Sequence, residues 1–359
     1  MAPPVGRQSL PPPRSLRASL IRLDLRSHAS HARAGVVPRA GSPIGGASHE
    51  RLAPGGAAKY AAPVPSAFVV GAGRLASALV PGLRAARWRV AGFARTRAGR
   101  SRLRRLGAEP LPLANAREFD LLFLAVPDSV VADALRAAEP WVRRGQVVAH
   151  GAGALGLEVL AAARARGAHP GSLHPVQALA GGPFLPDVAA AVDGDAKALR
   201  LLSRAARDLR LRPIRVPAGG RTLYHASAVI ASNLVHGLVD LAAETWIRSG
   251  APREAAFDAL VPLLRGAVEN LALRGLPGAL TGPASRGDAE VVARQARALD
   301  GDAAAVYRLL TRRLVALAGR GGLDPARARA VLAAVADVPP SPRQRRGRPR
   351  GRPSGLHRP

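Results

Sequence analysis

The stretch FVVGAGRLASALV, Phe68 to Val80, sets small residues at the spacing of a phosphate-binding turn. A short apolar run ends in Gly71-Ala-Gly73 and a helical pattern opens by Ala76, so the order is strand, tight turn, helix. In such a turn the first glycine permits the sharp reversal and the second lets the backbone approach a pyrophosphate. Ala76 takes the third position, where helix and strand pack closely. The phosphates then lie against the start of the Arg74–Ala85 helix, beside Arg74 and Leu75, held by free N–H groups and the positive helix end. Cofactor choice is read about 20 residues on, where an acid takes the ribose hydroxyls of NAD and an arginine accommodates the 2′-phosphate of NADP. Here the sequence is FARTR, Phe93 to Arg97, without an acid. The expected cofactor is NADP, with Arg95, Thr96 and Arg97 as its clamp. Ala125, Val126 and Pro127, at the end of LLFLAVPD, border the nicotinamide ribose, because ligands in such sheets sit outside the carboxyl ends of the strands.

Polar groups suited to act on a small substrate follow. His150 and His174 each close a predicted strand, where a histidine can polarise a carbonyl or donate a proton as hydride arrives. The bland alternative, strongest for His150, is a histidine bonded to a loop carbonyl. Taking about 100° per residue, His225, Val229, Ser232 and His236 fall near one helical direction, with Asn233 about 80° from His225. Tyr224, His225 and Asn233 are the candidates to orient substrate beside His174, all four converging on one cleft; packing at a helix start is their alternative. LTGPASRGD places Thr281, Arg286 and Asp288 around a Gly-Pro turn, where Arg286 can take a substrate carboxylate bidentately or, with Asp288, simply open a helix.

Positioning these groups requires an alternating frame. From Ala67, short apolar runs alternate with amphipathic stretches, and the runs lack strict polar alternation, as buried parallel strands do. The fold class is α/β, a doubly wound parallel sheet, continuing through GSLHPVQ and RPIRVP to a linker at Pro217. Beyond Leu223 the pattern is helical over about 224–249, 252–274, 286–299, 303–320 and 324–335, a smaller all-α domain. Pro252 and Pro325 suit first helical turns, with Ser249 and Asp324 as capping candidates. The domains expected are a dinucleotide-binding domain over 66–217 and a helical substrate and dimerisation domain over 218–337. They are flanked by basic Pro-, Gly- and Arg-rich tails over 1–65 and 338–359.

Charge and composition narrow the classes. The net charge is +29, with all but Lys59 and Lys197 of the 53 basic residues being arginine, a bias expected of a GC-rich genome. Nine bases face two acids in 1–65 and seven face none in 338–359, so about half the excess lies in the tails. The first tail reads as mis-assigned upstream sequence or an organelle presequence, and PRGRP near the end resembles an AT-hook core, so weak nonspecific nucleic-acid binding by the tails is expected. Cysteine is absent, which excludes disulfides, thiolate metal sites and cysteine nucleophiles. No metal site is read. No uninterrupted apolar run approaches the roughly 20 residues that span a bilayer, so the expectation is a cytoplasmic protein away from membranes.

The segments VVGAGRLASAL, LAVPDSVV, VVAHGAGALG, GSLHPVQALAG, YHASAVIASNLV and ALTGPASRGD together resemble a family that joins a Rossmann-like domain to a helical domain of unknown function. That family is similar in architecture to pyrroline-5-carboxylate reductase and the hydroxyacid dehydrogenases related to 6-phosphogluconate dehydrogenase. The resemblance, over about residues 66–320, implies an NADP-dependent oxidoreductase that is dimeric through its helical domain. Two positions depart from the family pattern: Ala152 stands where a serine is usual, and Gln295 where a histidine is frequent. The expected function is hydride transfer between nicotinamide and a small carbonyl, imine or alcohol. A noncatalytic NADP-binding or redox-sensing protein, favoured by Ala152 and Gln295, and a DNA-associated protein are the alternatives.

Overall fold

The computed structural model describes residues 64–217 and 219–336. The expected tails and PRGRP therefore lie outside the described residues, apart from the ends at Val64 and Pro65. The residues pack into two compact units, one ending at Leu234 and the other beginning at Val235.

The first unit is an eight-stranded sheet of order β3-β2-β1-β4-β5-β6-β7-β8. Its strands are β1 Ser66–Val70, β2 Arg89–Phe93, β3 Glu109–Pro110, β4 Leu121–Leu124, β5 Val147–His150, β6 His169–Pro175, β7 Ala189–Gly194 and β8 Arg212–Arg215. All neighbouring pairs are parallel except β6 with β7. Strand order reverses between β1 and β4, and in such sheets the crevice for a ligand opens at that reversal. Strands β3 and β7 are not distinguished in the sequence: β3 is two residues long, and AAAVDG is made of small residues and only weakly strand-forming.

Burial on both faces explains the apolar strands. Ala67 and Val69 belong to one core with α1 (Arg74–Ala85), α2 (Arg97–Leu106) and α5 (Ala196–Asp208). Phe68 and Val70 point the other way, into a second core with α3 (Val131–Ala138) and α4 (Ala161–Ala165). With every side chain of β1 buried, polar alternation has no place in it.

After β8 the chain passes the linker and forms α6 (Arg221–Ala231), which still belongs to the sheet unit. The expected single helix over 224–249 is broken: Ser232 leaves helical geometry (φ −130°, ψ −71°) and α7 runs Asn233–Arg248. The Ser232 hydroxyl turns back onto the Ala228 carbonyl at 2.7 Å, a side-chain bond that competes with the helix ladder. The second unit continues with α8 Ala255–Arg274, α9 Pro283–Arg286, α10 Ala289–Ala298, α11 Gly301–Arg320 and α12 Pro325–Ala334. Its core is small, built on Val292, Ala296, Val315 and Val331, while α7 and α8 each bury a single alanine, Ala243 and Ala256. Asp324 caps α12 as expected, accepting from the Arg327 amide at 2.9 Å. Ser249 caps nothing; its hydroxyl donates to the Trp246 carbonyl, and α8 opens at Ala255, beyond the first turn expected at Pro252.

One long-range bond ties the sheet unit across its helical layer. The buried Trp88 indole N–H donates to Asp208 at the end of α5, at 2.8 Å. Asp208→Ala leaves that N–H without a partner, and urea unfolding followed by circular dichroism should show a loss of about 1–3 kcal/mol.

Candidate active site

The glycine turn has the geometry its sequence implies. Gly71 sits at φ +112°, and a Cβ there would stand 2.5 Å from the Ala125 carbonyl oxygen, so only glycine fits. Beside Gly73 nothing approaches closer than 4.0 Å, leaving its backbone open to a ligand. Gly73 is also the N-cap of α1, with no side-chain cap and no acid in the first turn. The free N–H groups of that turn are the donors that a diphosphate accepts from, so the residues present fit a dinucleotide. Ala76 is wholly buried against the sheet; Arg74 is exposed at the helix start.

Next to this turn lies a cavity of about 490 Å³ at the carboxyl ends of β1 and β2. Gly71, Arg95, Thr96 and Val126 line it, and its one carboxylate, Asp133, is tied to Arg136 at 2.8 Å. Thr96 caps α2, its hydroxyl oxygen accepting from the Gly99 amide at 3.0 Å, so its O–H remains free to donate. Arg95 and Arg97 are exposed at the rim, and Arg100, which the sequence did not single out, braces the turn through the Ala94 and Arg95 carbonyls. Pro127 is exposed, whereas the Ala125 methyl is buried and only its carbonyl faces the turn.

A second cluster occupies the same carboxyl edge, two strands away. Leu124 pairs with His150 and His150 with Ser172, so β4, β5 and β6 end side by side. At this edge a Cβ on Gly151 would strike Leu75 of α1, so the loop after β5 packs directly on the dinucleotide turn. His174, two residues beyond Ser172, places Nδ1 2.9 Å from the Tyr224 hydroxyl. Its ring meets those of Tyr224 and His225 edge-on, with centroids 5.8 and 5.6 Å apart. Gly153 completes the cluster: a Cβ there would fall 2.3 Å from His225 Nδ1 and 2.9 Å from His174 Nε2, so no larger residue admits both imidazoles.

Beneath them lies a residue that sequence reasoning missed. Arg221, 7% exposed, donates to Ser172 Oγ at 2.8 Å and to the Ala152 carbonyl at 3.3 Å, with Asp193 at 3.5 Å. The sequence signal was its place: Tyr224 and His225 follow it by three and four residues, on the same helical face. In a chain so rich in arginine, identity alone did not mark it. Burial is the main influence on His174, lowering its pKa from 6.5 to about 4, and the nearby His225, Arg221 and His150 act in the same direction. Burial also lowers His150, although its bond to Gly156 opposes the shift. Desolvation raises Tyr224, with Arg221 pulling the other way.

Residues 54–175 match the Rossmann-like domain family, and residues 188–314 match a domain of unknown function, DUF2520. The chain joins a Rossmann-like domain to DUF2520. No curated protein matches it. Among solved structures it is similar to a protein from Bacteroides fragilis provisionally named an NADP oxidoreductase, with 25% identity, a TM-score of 0.56, and 70% of this chain and 98% of that one covered. It is also similar to a reductive aminase from Aspergillus terreus, in complex with NADPH and ethyl levulinate, at 17% identity and TM-score 0.54, covering 75% and 99%. An imine reductase from Myxococcus stipitatus, in complex with NADP+, follows at 21% identity and TM-score 0.51, covering 75% and 99%. With the last two the likeness is one of fold.

Other expected site residues are placed differently. His150 has both ring nitrogens committed to backbone, Nε2 to the Gly156 carbonyl and Nδ1 to the Ala152 amide, each at 3.2 Å. It holds the loop after β5, so the substrate-binding expectation for it is withdrawn in favour of the bland one. Asn233 follows the helix break, exposed, and accepts from Ser232 Oγ at 3.0 Å. Within the DUF2520 segment the Arg286 fork closes on Asp288, at 3.0 and 2.9 Å, so its bidentate capacity goes to opening α10. Thr281 is exposed just before that turn. Ala152 is 1% exposed in the apolar core that includes Phe68, so the methyl that replaces a hydroxyl faces the protein interior. Gln295 accepts from the Tyr307 hydroxyl at 2.7 Å. Neither departure removes a group from the His174–Tyr224 cluster.

The depressed His174 has a signed consequence. The unfolded chain takes up the proton near pH 6.5 and the folded chain only near pH 4, so this contribution to stability is complete above 6.5 and is lost as pH falls toward 4. Denaturant unfolding should show stability dropping by about 2 kcal/mol more between pH 7.5 and 5 in the unmodified protein than in His174→Gln.

Proposed function

We propose that this chain is an NADP-dependent oxidoreductase that transfers hydride between nicotinamide and a small carbonyl, imine or alcohol. The observation that carries the reading is the His174–Tyr224 hydrogen bond on the same sheet edge as the Gly71–Gly73 turn. The complexes of fold relatives with NADPH and NADP+ support it. Gly71, Gly73 and the first turn of α1 hold the diphosphate, while Arg95, Thr96 and Arg97 take the 2′-phosphate. The nicotinamide, when bound, supplies or accepts the hydride. Tyr224 donates its hydroxyl proton to the substrate heteroatom as that atom gains charge, and His174 Nδ1 passes a proton to the phenolate. His174 Nε2, the acceptor nitrogen of that tautomer, takes up the proton that keeps the ring neutral. Because His174 is neutral at physiological pH, its ring offers both a donor and an acceptor nitrogen, as a relay requires. His225 and Gly153 fix the edge-on stack that aims the pair.

NADPH should bind at least about tenfold more tightly than NADH, with Arg95→Ala plus Arg97→Ala removing most of the difference. Tyr224→Phe should lower NADPH-dependent turnover on a carbonyl and imine panel by about 100-fold or more without weakening NADPH binding. Fluorescence titration and absorbance at the nicotinamide band check both. Equal affinity for the two cofactors, or full activity in Tyr224→Phe, rejects the assignment.

The partner proposed is a second copy. Residues Arg221–Arg248 form the one described helical stretch long and apolar enough to cross a membrane by length and composition, and only 6% of its apolar window is buried. The expectation that no such run exists missed it because polar residues interrupt the run. Those residues also argue for protein rather than lipid: Arg221 and Tyr224 are bonded into the sheet unit, and Ser232, Asn233, His236 and Asp240 follow along the same helices. Leu234 and Leu238 are exposed on α7, and Leu263, Leu271 and Leu273 on α8, and exposed apolar side chains grouped on helices in this way mark a protein contact surface. Sedimentation should show a homodimer, and Leu234→Arg with Leu238→Arg should shift it to monomer; a monomeric unmodified protein rejects this partner.

A further inference from the structure

This inference rests on the Tyr224 reading above and concerns the charge of what enters that site. Arg221 is a cation at every accessible pH, its side chain only 9% exposed. Its nearest carboxylate, Asp193, stands at 3.5 Å with 29% of its own side chain in solvent, a loose pairing for a buried charge. Arg221 uses its two terminal nitrogens on Ser172, Asp193 and the Ala152 carbonyl, while its Nε is buried without a partner. His225 Nδ1 is buried without a partner as well. Of the groups around His174, Arg221 is the fixed cation, and the nearby carboxylates of Asp128 and Glu158 act on His150 instead.

A guanidinium held out of water with incomplete counter-charge projects a positive field, and low local dielectric strengthens it. That field opposes an iminium ion, the reactive form of an imine, and draws in an anion. We propose that the Tyr224 site takes a carbonyl compound bearing an anionic group, carboxylate or phosphate, held by Arg221 and His225, and rejects cationic iminium substrates. The reaction balances as a two-electron reduction. Hydride adds to the carbonyl carbon, the C=O π pair moves to oxygen, and the Tyr224 proton caps that oxygen to give an alcohol with the anionic group unchanged.

The test separates this inference from the cofactor reading. Thermal shift without cofactor compares oxalate, inorganic phosphate and oxamide, the neutral isostere of oxalate. NADPH binding is followed separately by fluorescence. At least one anion should bind about tenfold or more tightly than oxamide, and which of the two does so distinguishes a carboxylate from a phosphate substrate. Arg221→Met should abolish that preference, and Arg221→Lys, which keeps the charge, should retain part of it, an outcome that loss of packing alone does not produce. In turnover, 2-oxo-4-phenylbutanoate or dihydroxyacetone phosphate should exceed both 4-phenylbutan-2-one and 1-pyrroline. If NADPH fails to bind while an anion does, the oxidoreductase reading falls and the anion site stands. If oxamide matches both anions, or 1-pyrroline is the best substrate, the anion site is wrong. Should Arg221→Met fail to fold by circular dichroism, the unmodified protein and Arg221→Lys decide.

Discussion

The hydrogen bonds from Arg221 to Ser172 and the Ala152 carbonyl organise the site. They fasten the first residue of α6 to β6 and to the loop after β5. On β6, Ser172 and His174 point to the same face; on α6, Arg221, Tyr224 and His225 share one turn. Pinning Arg221 to Ser172 therefore brings Tyr224 to His174 as a second rung. Burying a guanidinium costs several kcal/mol unless its donors are matched, so the arrangement is sensitive to every acceptor around it. The Ala152 carbonyl is one of them, and it is held in place by His150, whose two nitrogens brace residues 152 and 156. A histidine bonded only to backbone thus still shapes the site.

The dinucleotide turn depends on a different constraint, the close approach of backbone to backbone. Gly71 lies against the Ala125 carbonyl and Gly92 against the Val69 carbonyl, each at a distance that excludes a side chain, while Gly151 packs against the Leu75 side chain. These contacts let β1, β4 and β5 end together around the first turn of α1. They explain why the turn and the His174–Tyr224 pair share an edge although about 100 residues separate Gly73 from His174 in sequence. Parallel strands require it: each crossover returns the chain to the opposite end, so all their carboxyl ends gather on one side.

The helical unit follows another logic. Its core is small and alanine- and valine-based, and leucines along α7 and α8 stand in solvent. Such a unit gains little from burying its own surface. The break at Ser232 divides the apolar stretch, leaving α6 with the sheet and α7 with the helices that follow.

Much of this was legible in the residues. Gly71 and Gly73 declared the turn because a positive φ and an open backbone admit little else, and the apolar strands declared a doubly wound sheet because both faces are covered. The start and end of α1 could be read directly. His174, Tyr224 and His225 were recognisable as polar groups at strand and helix ends. What the sequence could not determine was partnership. His150 and His174 look alike along the chain, yet one bonds only backbone and the other a phenol, because two strands and a loop decide which acceptors surround each ring. Arg286 looked like a free fork until Asp288 closed it, and Ala152 looked like a lost active-site hydroxyl until its methyl proved to face the core. Arg221 was hidden among the arginines, because its importance comes from burial, and burial is a property of the packed sheet rather than of the residue.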